Sequence, residues 1–376
     1  MTENTGHRTA LRDSVADYVK RGTDLARARR LRGTPAEYDR AAWDKMAGLG
    51  WLGILVPEQY AGLGLGLAEA AIVAEGLAQA LVPEPFTAVA VLAARALAEG
   101  DNDALKQELL PQVVSGKLIP ALAWQECAGT LDVAAIGMQA VPFEGGFRLN
   151  GGKRFIAGAA GADGYIVSAK TVHGIELFWI ARSAAGVEIK LEPLADGRYF
   201  GVLILSNAFV ASESRVARAG TARAALEKAL DHATVIAAAE LCGVMGRALE
   251  MSLDYMKTRV QFGKPIGSFQ ALQHRAVDLY IQQQLSSAVL EEVLCALDRN
   301  PDARTRAALA SRVKARCSDA GLRIAREAIQ IHGAIGFTDE YDAGLYLKRA
   351  VVLSAWLGNA ALHRRRYAQL TAEVDT

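Results

Sequence analysis

Two segments carry side chains whose types and spacing could do chemistry. The first is Arg259-Val-Gln261-Phe262-Gly263-Lys-Pro265-Ile266-Gly-Ser-Phe269-Gln270-Ala-Leu-Gln273-His274. An arginine fork suits phosphate oxygens, an aromatic ring suits the face of a planar base, and glutamine offers both a donor and an acceptor. A plain helix–helix turn with a capping arginine explains the same residues equally well. The second is Gln330-Ile331-His332-Gly333-Ala334-Ile335-Gly336-Phe337, with Asp339-Glu340-Tyr341 behind it. Small residues there would let a bound group approach the backbone, and Gln330 could hydrogen-bond it; an ordinary helix C-cap is the competing reading.

Elements must position these segments. Residues 9–115 place apolar side chains three and four apart, as in Leu11, Val15, Tyr18 and Val19, which reads as helices. Residues 49–64 are punctuated by glycine and Pro57 and read as a packed connection. From about 117 to 213, β-branched and aromatic runs alternate with glycine pairs, and Val141-Pro-Phe143-Glu-Gly145-Gly146-Phe147 is the clearest hairpin. Helices return over 221–257, 268–298, 303–331 and 345–372. The expected fold is mainly α with a central β-domain: an N-terminal helical domain (1–116), an antiparallel β-barrel or sandwich (117–215) and a C-terminal four-helix bundle (216–376).

Composition narrows the function. Of 376 residues, 42 are Lys or Arg and 41 Asp or Glu, a net charge of +1 that gives no field for nucleic-acid phosphates. Apolar stretches such as 89–98 are interrupted before the roughly 20 residues a membrane helix needs, so no span is expected. The first residues lack a basic region followed by an apolar one, and a cytoplasmic chain is expected. Cys127, Cys242, Cys295 and Cys317 have no metal-ligand spacing; Cys242 and Cys295 sit in apolar runs and read as buried thiols. His363, next to three arginines, reads as part of a solvated helix face, and His274 and His332 as structural histidines.

Taken together, the two segments and the helical–β–helical order resemble the acyl-CoA dehydrogenase family of flavoproteins. Further stretches resemble it too: Leu49-Gly-Trp51-Leu-Gly through Val56-Pro57-Glu58, Gln125-Glu126-Cys-Ala-Gly-Thr, and Lys153-Arg-Phe155-Ile156-Ala157-Gly158. The resemblance implies FAD and a dimer or homotetramer, with roles residue by residue. Trp124 and Gln125 would offer backbone groups to the flavin ring, and Phe155, Ile156 and Ala157 would line its edge. Arg259, Gln261, Phe262, Ile266, Gln270 and Gln273 would reach the ADP half of a neighbouring subunit's FAD, with Gln330, Gly333 and Ala334 completing that site. The implied activity belongs to fatty acid metabolism: α,β-dehydrogenation of an acyl-CoA thioester to the 2-enoyl-CoA, with electrons passing to an electron-transferring flavoprotein. A carboxylate takes the α-proton in such a reaction.

That carboxylate is missing from both places where the family keeps it. Most members carry a Glu seventeen residues after the Glu of the Glu-Tyr pair, which here is Leu357; a minority carry it twenty-six residues before the Arg, which here is Ala233. One helical turn from Ala233 stand only Ala229, Leu230, Ile236 and Ala237. Asp231 and His232 are titratable but rotated about 100° or 200° away. The family's pyrophosphate-contacting Ser is Leu131, its Thr near flavin N5 is Ala157, and the Arg beside the alternative Glu is Thr234. Three readings follow. The chain is a dehydrogenase whose base lies elsewhere; or a non-catalytic subunit that completes the FAD site of a Glu-bearing paralogue, as in the short subunits of heteromeric members; or a member running non-oxidative acyl-CoA chemistry.

Overall fold

A computed structural model describes residues 2–22, 25–34 and 38–372. In chain order the helices α1 (Thr2–Gly22), α2 (Leu25–Leu31), α3 (Arg40–Gly48), α4 (Leu67–Gln79), α5 (Ala94–Ala98) and α6 (Asp103–Val114) come first. Eight strands follow: β1 (Pro120–Ala123), β2 (Gln139–Phe143), β3 (Gly146–Ala157), β4 (Gly164–Thr171), β5 (Gly174–Ala181), β6 (Val187–Pro193), β7 (Tyr199–Ala211) and β8 (Arg215–Ala217). Then come α7 (Ala222–Thr258), the short β9 (Val260–Gln261) and β10 (Lys264–Pro265), α8 (Gln270–Leu297), α9 (Ala303–His332), α10 (Ala343–Ala355) and α11 (Ala360–Thr371). Residues 30–70 with 83–233 form one compact unit, and residues 1–29 with 71–82 and 234–376 form a second.

In the first unit the strands lie in the order β6-β7-β3-β2-β4-β5-β8, with β1 beside β4. The β2–β3 hairpin falls where the glycine pair placed it, Phe143 facing Gly146 across a turn in which Gly145 has φ 72°. The sheet is mixed rather than wholly antiparallel. Pro120–Ala123 runs parallel to 164–167, and Gln139 pairs parallel with Lys170. The chain between β1 and β4 detours through the β2–β3 hairpin, so β1 and β4 leave in the same sense without a crossover helix. The order ends at β6 and β8, and no ladder joins those ends among the described residues, so barrel closure is not part of the observed fold. Inward residues of successive strands, including Leu149, Ile156, Tyr165, Phe178 and Leu203, form its core.

The punctuated connection of residues 49–64 is a packed turn. It contains two 3₁₀ turns, Trp51–Gly53 and Glu58–Tyr60, and buries Trp51, Leu52, Ile54 and Val56. At Gly62 any Cβ would collide with the Val56 carbonyl, which is why glycine stands there. Residues Thr87–Ala93 wind as a π-helix that runs on into α5, every one of them buried.

The second unit gathers α1, α8, α9, α10 and α11 with parts of α2, α4 and α7. The single helix expected over 345–372 is two helices, broken between Ala355 and Ala360. Leu357 and Gly358 both take positive φ there (57° and 96°), and the Asn359 side chain accepts the Leu362 N–H at 2.9 Å to start α11. Helix α7 also departs from expectation: it contains a window long and apolar enough to cross a membrane, but 94% of that window is buried within the chain. Its apolarity is that of a core helix.

Close packing of α7 yields a first prediction. A Cβ at Gly243 would run into the Glu75 backbone carbonyl of α4 and approach Ala78 at 3.2 Å. Gly243→Val is therefore expected to destabilise the fold by about 1–3 kcal/mol through overpacking. The measurement is the urea midpoint of the variant; a midpoint equal to that of the wild type would show that the two helices can part freely.

Candidate functional site

The flavin-edge candidates converge within the first unit. Trp124 and Gln125 continue directly from β1, and the Gln125 carbonyl accepts the Arg154 N–H at 2.8 Å, which lays this segment beside Arg154-Phe155-Ile156. Phe155 has φ 58° at a bulge where β3 slips register against β7 between Lys153 and Ile156. A bulge re-aims a side chain, and a non-glycine residue in left-handed backbone is a strain that functional sites commonly keep. Ile156 and Trp124 are buried, while Gln125, Phe155 and Ala157 are half-buried.

Beneath that segment lies a group whose partnership sequence reasoning missed. Lys153 is fully buried, and its Nζ donates to Glu126 Oε1 at 2.7 Å, to Ser168 Oγ at 3.1 Å and to the Trp124 carbonyl at 3.3 Å. Glu126 also accepts the backbone N–H groups of Gly137 and Met138. Desolvation pushes the Lys153 ammonium down to about 8, against the pull of Glu126, whereas Glu126, though its own burial opposes ionisation, is held below its usual range by Lys153 and the two N–H groups. The pair pins both residues flanking Gln125. No local pattern signals it, because Lys153 stands between the exposed Gly152 and Arg154 in a strand that mixes buried and exposed residues.

The second unit holds the dinucleotide candidates. Phe262 and Gly263 are the two central residues of the β9–β10 hairpin, both with positive φ (51° and 78°), and Phe262 is 92% exposed. Arg259, Gln261, Gln270 and Gln273 are exposed around it, and Ile266 is buried as the anchor of the turn. Gln273 Nε2 donates to the Gly267 carbonyl at 2.9 Å, and Gln261 Nε2 to the Val260 carbonyl at 2.8 Å. Gly333 caps α9 with φ 65°, leaving Gln330 and Ala334 exposed. The Tyr255 ring, one turn before Arg259, stands 4.5 Å from that of His332, so the ends of α7 and α9 meet.

His332 is structural, as expected. Its Nδ1 donates to the Ala328 carbonyl at 2.6 Å, so Nε2 receives the Tyr341 hydroxyl at 2.9 Å, and desolvation holds the imidazole below its usual pKa. His363 is not on a solvated face: it is fully buried, because the break before α11 turns it inward. Cys295 is exposed rather than buried, while Cys242 is buried. Among the described residues no cluster suited to a metal ion occurs.

Both positions where the sequence led us to expect a base are apolar. Ala233 is fully buried in α7, as are its neighbours one turn away, Ala229, Ile236 and Ala237. Asp231 and His232 are buried too, at 1% and 8% exposure. Leu357 is held by its backbone. His363 Nε2 donates to the Leu357 carbonyl at 2.8 Å, and the fully buried Lys314 donates to the carbonyls of Leu353 (2.8 Å), Ser354 (3.3 Å) and Gly358 (3.0 Å). An ammonium at the C-terminal carbonyls of α10 also complements the helix dipole.

This clamp predicts a pH dependence. Burial pushes Lys314 from 10.5 down to about 7, while burial and then the Lys314 charge push His363 from 6.5 down to about 3. Each group binds protons more readily in the unfolded chain, so stability rises with pH between about 3 and 6.5 through His363, and between about 7 and 10.5 through Lys314. The difference in urea midpoint between pH 7 and pH 10 should be larger in the wild type than in Lys314→Met. Equal differences would mean that Lys314 is charged in the folded protein throughout.

A chain with this helical–β–helical order and these two motif sets has the architecture of a flavoprotein dehydrogenase. Residues 5–117 match the model of the acyl-CoA dehydrogenase N-terminal domain, and residues 216–370 that of the acyl-CoA dehydrogenase C-terminal domain. The chain is 31% identical over 333 residues to mitochondrial isovaleryl-CoA dehydrogenase of Solanum tuberosum, covering 86% of this chain and 80% of that one. It is 31% identical over 345 residues to the acyl-CoA dehydrogenase FadE27 of Mycobacterium tuberculosis, covering 90% and 89%. Its fold is similar to a chain of the ChsE4-ChsE5 complex from Mycobacterium tuberculosis, with TM-score 0.87, 28% identity and coverage of 100% and 99%. The protein belongs to the acyl-CoA dehydrogenase family of FAD-dependent oxidoreductases.

Proposed function

We propose that this chain is an FAD-binding subunit of an enzyme that dehydrogenates an acyl-CoA thioester to the 2-enoyl-CoA, and that a paralogous subunit bearing the family Glu supplies the base. The observation that carries this reading is the contrast between its two surfaces. The groups suited to FAD's dinucleotide half are present and exposed, whereas the position suited to the base is Leu357 on a well-clamped backbone.

The donor set fits FAD. Arg259 and the amides of Gln270, Gln273 and Gln330 are exposed donors for phosphate and ribose oxygens, Phe262 presents an exposed ring, and Gly333 leaves the backbone approachable. Trp124 and Gln125, with Phe155–157 opposite, would hold the ring system by backbone groups. FAD, when bound, takes up the hydride equivalent from the β-carbon, and an electron-transferring flavoprotein is the proposed acceptor. This chain's own residues bind and orient; they offer no group at Leu357 or Ala233 to remove the α-proton. A base outside those two positions is the weaker reading, since its candidates Asp231 and His232 stand two and one residues from Ala233, rotated about 200° and 100° around α7.

Association with a second subunit is supported by α8, where Val277, Tyr280, Ile281 and Leu285 are each 45–55% exposed and lie along one helical face. The similar ChsE4-ChsE5 structure is itself that of a complex. The test is co-expression with a Glu-bearing paralogue. Acyl-CoA-driven dye reduction should require both chains, should vanish when the partner's Glu is changed to Gln, and should drop at least tenfold with Arg259→Ala in this chain. Full activity of the partner alone would contradict the reading.

A further inference from the structure

Two cysteines outside the candidate site meet in the core of the second unit. Cys242 of α7 and Cys317 of α9 are both buried, and their sulfur atoms stand 3.8 Å apart across 75 residues of sequence. We infer that this pair is a redox modification site: a small peroxide-class oxidant converts it to a disulfide that ties α7 to α9.

The surroundings support that chemistry. Both cysteines are free thiols in hydrogen-bonding contact, so the motion that joins them is small. The hydrogen bond from Cys317 and burial push the Cys242 thiol up, which keeps the pair reduced until a strong oxidant arrives. Lys314, one turn before Cys317 on α9, is electrostatically coupled to it. A cavity of about 390 Å³ lies between α1 and α4, lined by Arg12, Val15, Val19, Ile72, Glu75 and Gln79. Glu75 in turn acts electrostatically on Cys242, and its carbonyl packs against Gly243, the next residue. One lining residue of this cavity, Glu75, thus also packs against the neighbour of Cys242. The cavity is large enough for peroxide, which is little bigger than water.

The reaction balances within the pair. One thiol attacks hydrogen peroxide, breaking the O–O bond and giving a sulfenic acid and one water. The second thiol then displaces the sulfenic oxygen as another water while the S–S bond forms. Two electrons leave the sulfurs and reduce one peroxide to two waters. Cys127 and Cys295 are exposed and serve as internal references.

Exposure of the folded, flavin-loaded protein to hydrogen peroxide, followed by denaturing alkylation and peptide mapping under non-reducing conditions, reads the outcome directly. The expected product is a peptide cross-linked through Cys242 and Cys317, formed by the time Cys127 and Cys295 are consumed and reversed by dithiothreitol. The oxidised wild type should also unfold at higher urea than the reduced protein, with no such rise in Cys242→Ser or Cys317→Ser. Two results would overturn the proposal. One is full alkylation of both cysteines after the exposed pair is consumed; the other is their conversion to separate sulfinic acids without a cross-link. Both readouts are independent of whether the chain turns over acyl-CoA.

Discussion

Leu357→Glu is expected to create acyl-CoA-dependent dye reduction in this chain alone, at least about 100-fold above the wild-type background, the usual worth of a positioned general base. The expectation rests on the backbone. Leu357 occupies left-handed space with φ 57°, its carbonyl held by His363 and the next carbonyl by Lys314. A substituted side chain therefore starts from a fixed Cα, which is most of what a base requires from its scaffold. The residue is only 6% exposed, so a carboxyl there would be partly desolvated and its pKa raised toward neutrality, the direction that suits a base. Leu357→Gln, of the same shape but without a base, should remain inactive. Equal rates for the two variants would remove Leu357 from the argument.

The second large effect concerns the flavin-edge segment. Glu126→Ala strips the fully buried Lys153 of its counter-charge and leaves it only the Trp124 carbonyl and Ser168. Such a break costs about 3–5 kcal/mol. The reverse single change, Lys153→Met, should cost less, because Glu126 is a quarter exposed and retains the N–H groups of Gly137 and Met138. Combining Lys153→Met with Glu126→Ala should recover much of the loss, since no charged member is then left alone. The sign with pH is also set. Lys153 titrates at about 8 in the folded protein against 10.5 unfolded, so stability rises with pH across that interval, and in Glu126→Ala the rise should begin at lower pH. Urea midpoints at pH 7 and pH 10 for the four proteins check all of this. Near-additive effects of the two changes would contradict the coupling.

Much of the fold was legible because it follows from local chemistry. Glu144-Gly145 between alternating strands forces the β2–β3 turn, and α9 spans its anticipated length because Asp302 caps one end and Gly333 the other. The dinucleotide segments were legible through residue types alone, and the structure leaves them exposed. What was not legible depended on partners distant in sequence. The parallel pairing of β1 with β4 joins residues some forty apart. The burial of Lys153 and Lys314 is decided by a carboxylate and carbonyls from other elements, and no periodicity announces it. His363 was misread because three arginines follow it, yet one position on a helix is enough to separate a buried face from a wet one. The break at residues 356–359 did carry a signal, Gly358-Asn359, the C-terminal glycine and N-cap pair that ends one helix and begins another.

The central claim is that this chain binds FAD but lacks its own base, and the purified wild-type chain tests it most directly. Mixed anaerobically with an acyl-CoA in the absence of any partner, the yellow protein should keep its flavin absorbance unbleached, and should bleach when a Glu-bearing paralogous subunit is present. Rapid bleaching by the isolated wild-type chain would contradict the account.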